Sequence, residues 1–201
     1  MKVPLFPLHV VLFPGTPLPL HIFEDRYKEM IGECIANQST FGVVRAQREG
    51  LAVIGCMASV MRVLQKYDDG RMDVLCEGGI RFEIEQLDNS RAFLQAEVDF
   101  FTDEGSESTR QSREECIALH FEVLELIGME QQSTQFDLNA PIAFQLAAAL
   151  PADLSFKQQL LSVRSDAERT QILCEFYKTM LPKLRVGVQA NRVAAGNGRV
   201  M

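Results

Sequence analysis

Leu18-Pro19-Leu20-His21-Ile22-Phe23-Glu24-Asp25-Arg26-Tyr27 reads as a strand that hands over directly to a helix, and the rest of the chain is organised around it. Leu18, Leu20 and Ile22 alternate with Pro19 and His21, the period-two pattern of a half-buried strand. From residue 23 the period changes. Residues 23–36 place Tyr27, Met30, Ile31, Cys34 and Ile35 on one side of a helix, with Glu24 and Asp25 at its start, where the helix dipole favours acids.

Upstream of this junction, Pro4, Pro7, Pro14, Pro17 and Pro19 are interleaved with Leu5, Phe6, Leu8, Leu12 and Phe13. Proline removes a backbone donor, so these segments are expected to be edge strands or rigid turns, with Phe13-Pro14-Gly15 as a fixed turn. Downstream, residues 41–45 and 52–64 read as strands. Tyr67-Asp68-Asp69-Gly70-Arg71 reads as a turn into another strand at residues 72–76. Gly78-Gly79 reads as a sharp turn between two strands. Ile80-Arg81-Phe82-Glu83-Ile84 alternates with period two, and beyond it Leu94, Ala96 and Val98 share one face while Gln95, Glu97 and Asp99 share the other. Many short strands at close intervals predict a closed or nearly closed antiparallel barrel.

The chain changes character near residue 105. Residues 102–109 are a polar linker, and the pattern beyond them is helical. Ser112-Arg113-Glu114-Glu115 has capping-box spacing ahead of Ile117, Phe121 and Leu124. Asn139-Ala140-Pro141-Ile142 opens a second helix through Leu150, with proline in the first turn. Ser155-Phe156-Lys157-Gln158 opens a short third helix. Ser165-Asp166-Ala167-Glu168 opens a fourth, seamed by Leu173, Phe176, Met180 and Leu184, which Pro182 is expected to bend or end. The predicted class is therefore α+β: an N-terminal antiparallel β-barrel subdomain over 1–105 with one inserted helix, an α-helical bundle over 110–190, and a flexible basic tail over 191–201.

Composition sets the outer bounds. The 201 residues are 47% hydrophobic and 23% charged, enough to build a core without staples. The net charge of -7 argues against a protein built mainly to hold nucleic acid. Five cysteines, an odd number with no C-x-x-C pair, fit small hydrophobes in a reducing compartment. Prolines interrupt every apolar stretch near the N-terminus that could serve as a signal, and residues 143–150 are too short to span a bilayer. A soluble, cytoplasmic protein without a membrane segment is expected.

Catalytic signatures are missing from these residues. There is no G-x-x-x-x-G-K-[ST], no G-x-S-x-G and no H-E-x-x-H. His9, His21 and His120 have no metal-ligand neighbour at helical or finger spacing. No catalytic residue, metal or cofactor is expected.

At the N-terminal segment the sequence resembles a known family. Pro4-Leu5-Phe6-Pro7-Leu8, Leu12-Phe13-Pro14-Gly15 and residues 18–27 are similar to the opening of the N-terminal domain of the ATP-dependent Lon protease, protease La. In the same order come Phe41-Gly42-Val43-Val44, Ile54-Gly55-Cys56-Met57-Ala58 for the family's V-G-T-x-A segment, Asp68-Asp69-Gly70-Arg71 at a hairpin turn, and Glu77-Gly78-Gly79-Ile80-Arg81-Phe82 for E-G-x-x-R-F. Leu150-Pro151 and Lys157-Gln158-Gln159-Leu160-Leu161 resemble the K-Q-x-L-L region. The resemblance spans residues 3 to 185. It implies a PUA-like barrel followed by a helical bundle, and a part in recognising protein substrates and in oligomer assembly. The ATPase and peptidase motifs of full-length Lon have no counterpart here, so those activities do not carry over. The same domain also occurs as a stand-alone bacterial protein, and binding is what the resemblance implies.

A polypeptide-binding module needs an apolar groove or sheet edge with a few fixed polar groups. The strand-to-helix junction supplies the candidates: His21 and Phe23 flank the helix start, and Arg26 and Tyr27 offer a charge and an amphipathic ring. Phe100, at the exit from the barrel, is a further candidate. Structural roles stand beside these. Phe23 and Tyr27 at i and i+4 suit core packing, Glu24 with Arg26 suits a junction clamp, and Phe100 or Phe101 suits a seal between the two halves. Three functions fit the sequence: a non-enzymatic protein-binding module, with a homo-oligomer among its possible assemblies; an RNA-binding PUA-like module; and a small-ligand receptor or hydrolase with a pocket between barrel and bundle.

Overall fold

A computed structural model of the chain describes residues 1–129, 138 and 141–197, the last eight of these through their backbone alone. The elements run β1 (Lys2–Leu8), β2 (Pro17–Ile22), α1 (Asp25–Asn37), β3 (Phe41–Gln47), β4 (Gly50–Leu51), β5 (Ile54–Lys66), β6 (Met72–Asp88), β7 (Gln95–Phe101), α2 (Arg110–Leu126), α3 (Ala143–Ala149), α4 (Leu154–Ser162) and α5 (Asp166–Asn197). They divide into two compact units: Met1–Asp103 with Ala152–Ser162, and Glu104–Pro151 with Val163–Met201. The class is α+β with a helical C-terminal part.

In the first unit the strands take the order β1-β7-β6-β5-β3-β4, and β1 also pairs with β3, closing the path into a barrel. The closing pair is parallel, Leu5 opposite Gly42 through Leu8 opposite Arg45, while every other ladder is antiparallel. The long crossover through β2 and α1 makes a parallel return feasible, since a hairpin cannot supply one. Prolines do not confine β1 to an edge. Lys2–Pro4 pair with β7 and Leu5–Leu8 with β3, so the ladder changes sides along the strand. β2 does behave as its prolines require: among the described residues its ladder is with β6 alone, Pro17 opposite Glu77 through Ile22 opposite Met72.

β6 organises the barrel. It pairs with β5 along most of its length, but on its other side it meets β2 at residues 72–77 and β7 at residues 81–88. Gly78 and Gly79 lie at that exchange, inside a continuous strand, rather than in the turn expected from their sequence. The Phe13–Thr16 turn docks there: Gly15 N donates to Gly78 O at 2.8 Å and Gly78 N to Thr16 O at 2.9 Å. A Cβ on Gly78 would sit 2.1 Å from the Phe13 carbonyl oxygen, so glycine is demanded by close backbone approach. Val3, Leu5, Val44, Met57, Phe82, Ala96 and Val98 fill the barrel. Phe82 occupies space that Gly42 and Gly55 leave open, for a Cβ there would come within 2.7 and 2.3 Å of its Cζ.

α4 belongs to this unit, although sequence reading groups it with the bundle. Asp153, not Ser155, caps it, accepting from Ser155 N at 2.8 Å and Phe156 N at 3.0 Å. Buried Arg81 donates to Leu161 O at 2.9 Å, pairs with Asp103, and lies 4.6 Å from the centre of the Phe101 ring. Gln158 Nε2 donates to Ile54 O at 2.9 Å. The bonds to α4 join residues 80 and 104 positions apart, which no local pattern announces.

The second unit packs α2 and α3 with α5 around Cys116, Val123, Leu146, Leu173, Tyr177 and Leu181. Thr109, not Ser112, caps α2, accepting from Ser112 N at 3.1 Å. The end of the expected polar linker is pinned: buried Ser108 donates its hydroxyl to Asp166 at 2.5 Å and accepts from Arg113 Nε at 2.8 Å. Arg169, fully buried, lies 3.8 Å from the centre of the Phe144 ring and donates to Val163 O at 3.0 Å. α5 continues through Pro182 to Asn197, so the proline does not end it. Asn139 and Ala140, expected to open a helix, lie outside the described residues, as do residues 198–201 of the expected tail.

Candidate functional site

The barrel unit carries a groove of about 510 Å³ at the strand-to-helix junction. The end of β1 contributes Phe6, Pro7 and Leu8. The end of β2 contributes Leu20, His21 and Ile22, and the junction and first turn of α1 contribute Phe23, Glu24, Arg26 and Tyr27. Local chemistry builds it. β2 alternates until Ile22, which is buried in the core, and α1 begins three residues later with Tyr27 on its buried face.

Its floor is apolar. The Tyr27 ring stacks on Phe6 with centroids 4.1 Å apart, and Phe6 in turn approaches Phe41 at 6.2 Å. Burial pushes the Tyr27 phenol above its ordinary range. Tyr27 is 7% exposed and Phe23 is 59% exposed, so the i, i+4 pair is divided: Tyr27 packs, and Phe23 stands at the lip.

The polar rim is internally neutralised. Arg26 lies 4.6 Å over the Tyr27 ring and pairs with Glu24 at 2.7 Å. His21 Nδ1 meets Asp73 Oδ1 at 2.5 Å across the β2–β6 ladder, and Tyr67 donates to Asp73 Oδ2 at 2.7 Å. Hydrogen bonds from His21 and then Tyr67 hold the Asp73 carboxyl below its ordinary range. The His21 ring lies 6.0 Å from both Phe23 and Tyr67.

Four of the residues singled out in the sequence, His21, Phe23, Arg26 and Tyr27, thus surround one groove. Phe100 does not join them. It is exposed on β7, opposite Phe82, while its neighbour Phe101 turns inward under Arg81. Sequence reasoning did not assign Phe6, Pro7, Leu8 and Leu20 to the site, nor Asp73 and Tyr67. The proline-leucine alternation was the available signal for the first four. For Asp73 and Tyr67 the signal was the turn at residues 67–71, once β2 is known to lie beside β6. No group of three or more His, Cys, Asp or Glu able to hold a metal ion occurs among the described residues. No described helix is long and apolar enough to cross a membrane.

Comparison with known proteins agrees with this architecture. Residues 2–179 match the model of the ATP-dependent protease La (LON) substrate-binding domain. Curated relatives include the Lon protease of Parabacteroides distasonis, 26% identical over 83% of this chain and 22% of that protein. Another is the Lon protease of Flavobacterium johnsoniae, 25% identical over 92% of this chain and 25% of that protein. The chain therefore spans about a quarter of the length of these relatives. Among solved structures, a Lon N-terminal domain protein from Xanthomonas campestris superposes with a TM-score of 0.69 at 24% identity, covering 86% of this chain and 96% of the other. The N-terminal domain of Mycobacterium avium complex Lon protease gives 0.62 at 18% identity, covering 89% and 98%. These two establish a shared fold, and the match over residues 2–179 establishes descent: the chain belongs to the ATP-dependent protease La (LON) substrate-binding domain family.

Proposed function

We propose that this chain binds polypeptides without acting on them chemically, and that an extended apolar segment docks in the groove between β1, β2 and the start of α1. The observation that carries the reading is the pairing of an apolar floor, Phe6 and Tyr27, with an exposed aromatic lip, Phe23. Such a site offers apolar burial to many sequences, and its rim charges are already paired, so desolvating them on binding costs less than burying free charges. The family's description as a substrate-binding domain supports a polypeptide as the class of ligand. In this reading the protein works in the cytoplasm and needs no cofactor.

The test is fluorescence anisotropy with a labelled, permanently unfolded polypeptide, reduced and carboxymethylated so that it cannot refold. Saturable binding is expected, weakened about tenfold by Phe23→Ala, as for removal of an aromatic anchor. Equal affinity of the native chain and a Phe23→Ala/Arg26→Ala variant would reject the groove. Absence of polypeptide binding together with a salt-sensitive shift by an RNA hairpin would put the RNA-binding alternative in its place.

A further inference from the structure

All five cysteines are buried, and two of them face each other across α2 and α5. The two helices run side by side in the same direction, as their cross-links show. Glu115 pairs with Lys178 at 2.6 Å, His120 Nδ1 meets the Tyr177 hydroxyl at 2.7 Å, and Glu122 pairs with Arg185. Cys116 lies one residue after Glu115 and one turn before His120. Cys174 lies one turn before both Tyr177 and Lys178. These cross-links set the register of the two helices, and in that register the two buried thiols occupy the same seam.

We propose that Cys116 and Cys174 are a peroxide-oxidisable pair that closes into a disulfide tying α2 to α5. Their positions assign the roles. Cys174 is 7% exposed and Cys116 is fully buried, so oxidant reaches Cys174 first. The neighbouring Cys116 thiol lowers the Cys174 thiol, and Cys174 in turn raises that of Cys116. Lys178 also lowers Cys174, against Glu115 and Glu175, which raise it. The Cys174 thiolate attacks one oxygen of hydrogen peroxide. The O–O bond breaks, hydroxide leaves and takes up a proton as water, and Cys174 becomes a sulfenic acid. Cys116 then gives up its proton and attacks the Cys174 sulfur as thiolate. The S–O bond breaks, hydroxide leaves and takes up that proton as a second water, and the disulfide forms. In sum, two thiols lose two protons and two electrons, and one peroxide becomes two waters.

The experiment treats the full chain with hydrogen peroxide under native conditions, blocks remaining thiols after denaturation, and maps peptides by mass spectrometry. The expected result is a Cys116–Cys174 linked peptide two hydrogens lighter than the reduced pair, loss of two of the five titratable thiols, and full recovery with dithiothreitol. Cys174→Ala should leave Cys116 reduced, with a circular dichroism melt showing that the variant folds. If the variant does not fold, the map of the native chain decides alone. Retention of all five thiols at a peroxide dose that oxidises exposed Met61, linkage of Cys34 to Cys76 instead, or sulfinic acid at Cys174 without linkage would each overturn the proposal.

Discussion

The Tyr27 ring lies stacked on Phe6, 4.1 Å between centroids and 29° between planes, so one aromatic pair both completes the barrel's core and floors the groove. Core and site share residues here, which means that substitutions at the floor report stability and those at the lip report binding.

Tyr27→Ala is therefore expected to destabilise the barrel unit by about 3–5 kcal/mol, the cost of removing a buried aromatic side chain. Tyr27→Phe keeps the stack and should cost less than about 1 kcal/mol. Phe23→Ala, at an exposed position, should change stability by no more than about 0.5 kcal/mol. Urea denaturation of the three variants checks the order; a Phe23→Ala loss equal to that of Tyr27→Ala would contradict the division of the pair.

Gly78→Ala is expected to cost more than about 2 kcal/mol, because the new Cβ meets the Phe13 carbonyl at 2.1 Å and backbone cannot yield as a side-chain tip can. At Gly79 the nearest atom to an added Cβ is Met57 O at 3.7 Å, an ordinary contact. Gly79→Ala should be tolerated within about 1 kcal/mol. Thermal melts of the two variants side by side provide the check.

Arg81→Met removes the guanidinium that holds the Leu161 carbonyl and Asp103. Arg81 is 3% exposed while Asp103 is 30% exposed, so the loss leaves the Leu161 carbonyl without its buried donor and should cost about 1–3 kcal/mol. Hydrogen exchange should accelerate in α4 relative to β3 and β5. Uniform acceleration across the unit would mean that Arg81 holds the barrel as a whole rather than α4.

Burial pushes the His120 imidazole down to about 4 in the folded chain, beside the Tyr177 hydroxyl. An unfolded histidine titrates near 6.5. Between those values the unfolded state binds the proton and the folded state does not, so stability falls as pH drops from about 6.5 toward 4 and is unaffected by this group above that range. The expected slope is at most about 1.4 kcal/mol per pH unit. The difference between the native chain and His120→Gln, measured by urea denaturation from pH 7 to 4.5, isolates it from the carboxylates. Parallel pH profiles would remove His120 as the source.

Much of the fold was legible because strand and helix periods are visible within ten residues. The alternation of residues 18–22 and 80–84, the switch to helical spacing after residue 23, and the Ser165 cap all lie inside such windows. Four groove residues were legible for the same reason: they fall within seven consecutive positions and are therefore neighbours in space. Sequence patterns mislead where the deciding partner is remote. Gly78-Gly79 resembles a turn until β2 and β7 are seen to exchange places beside it. α4 resembles a bundle helix until Arg81 and Gln158 are seen to bind it to the barrel. The alternation of Leu94, Ala96 and Val98 breaks at the end of β7, where Phe101 rather than Phe100 is buried and lies against Arg81.

The junction at residues 18–27 shows where the line falls. Its residue order dictates a strand, a break and a helix, because backbone preferences and side-chain period act on neighbours. It does not dictate that Phe6 will meet Tyr27, that Asp73 will hold His21, or that Cys116 will face Cys174. Those pairings depend on barrel closure and helix packing, which bring together residues separated by 21, 52 and 58 positions and carry no local signature.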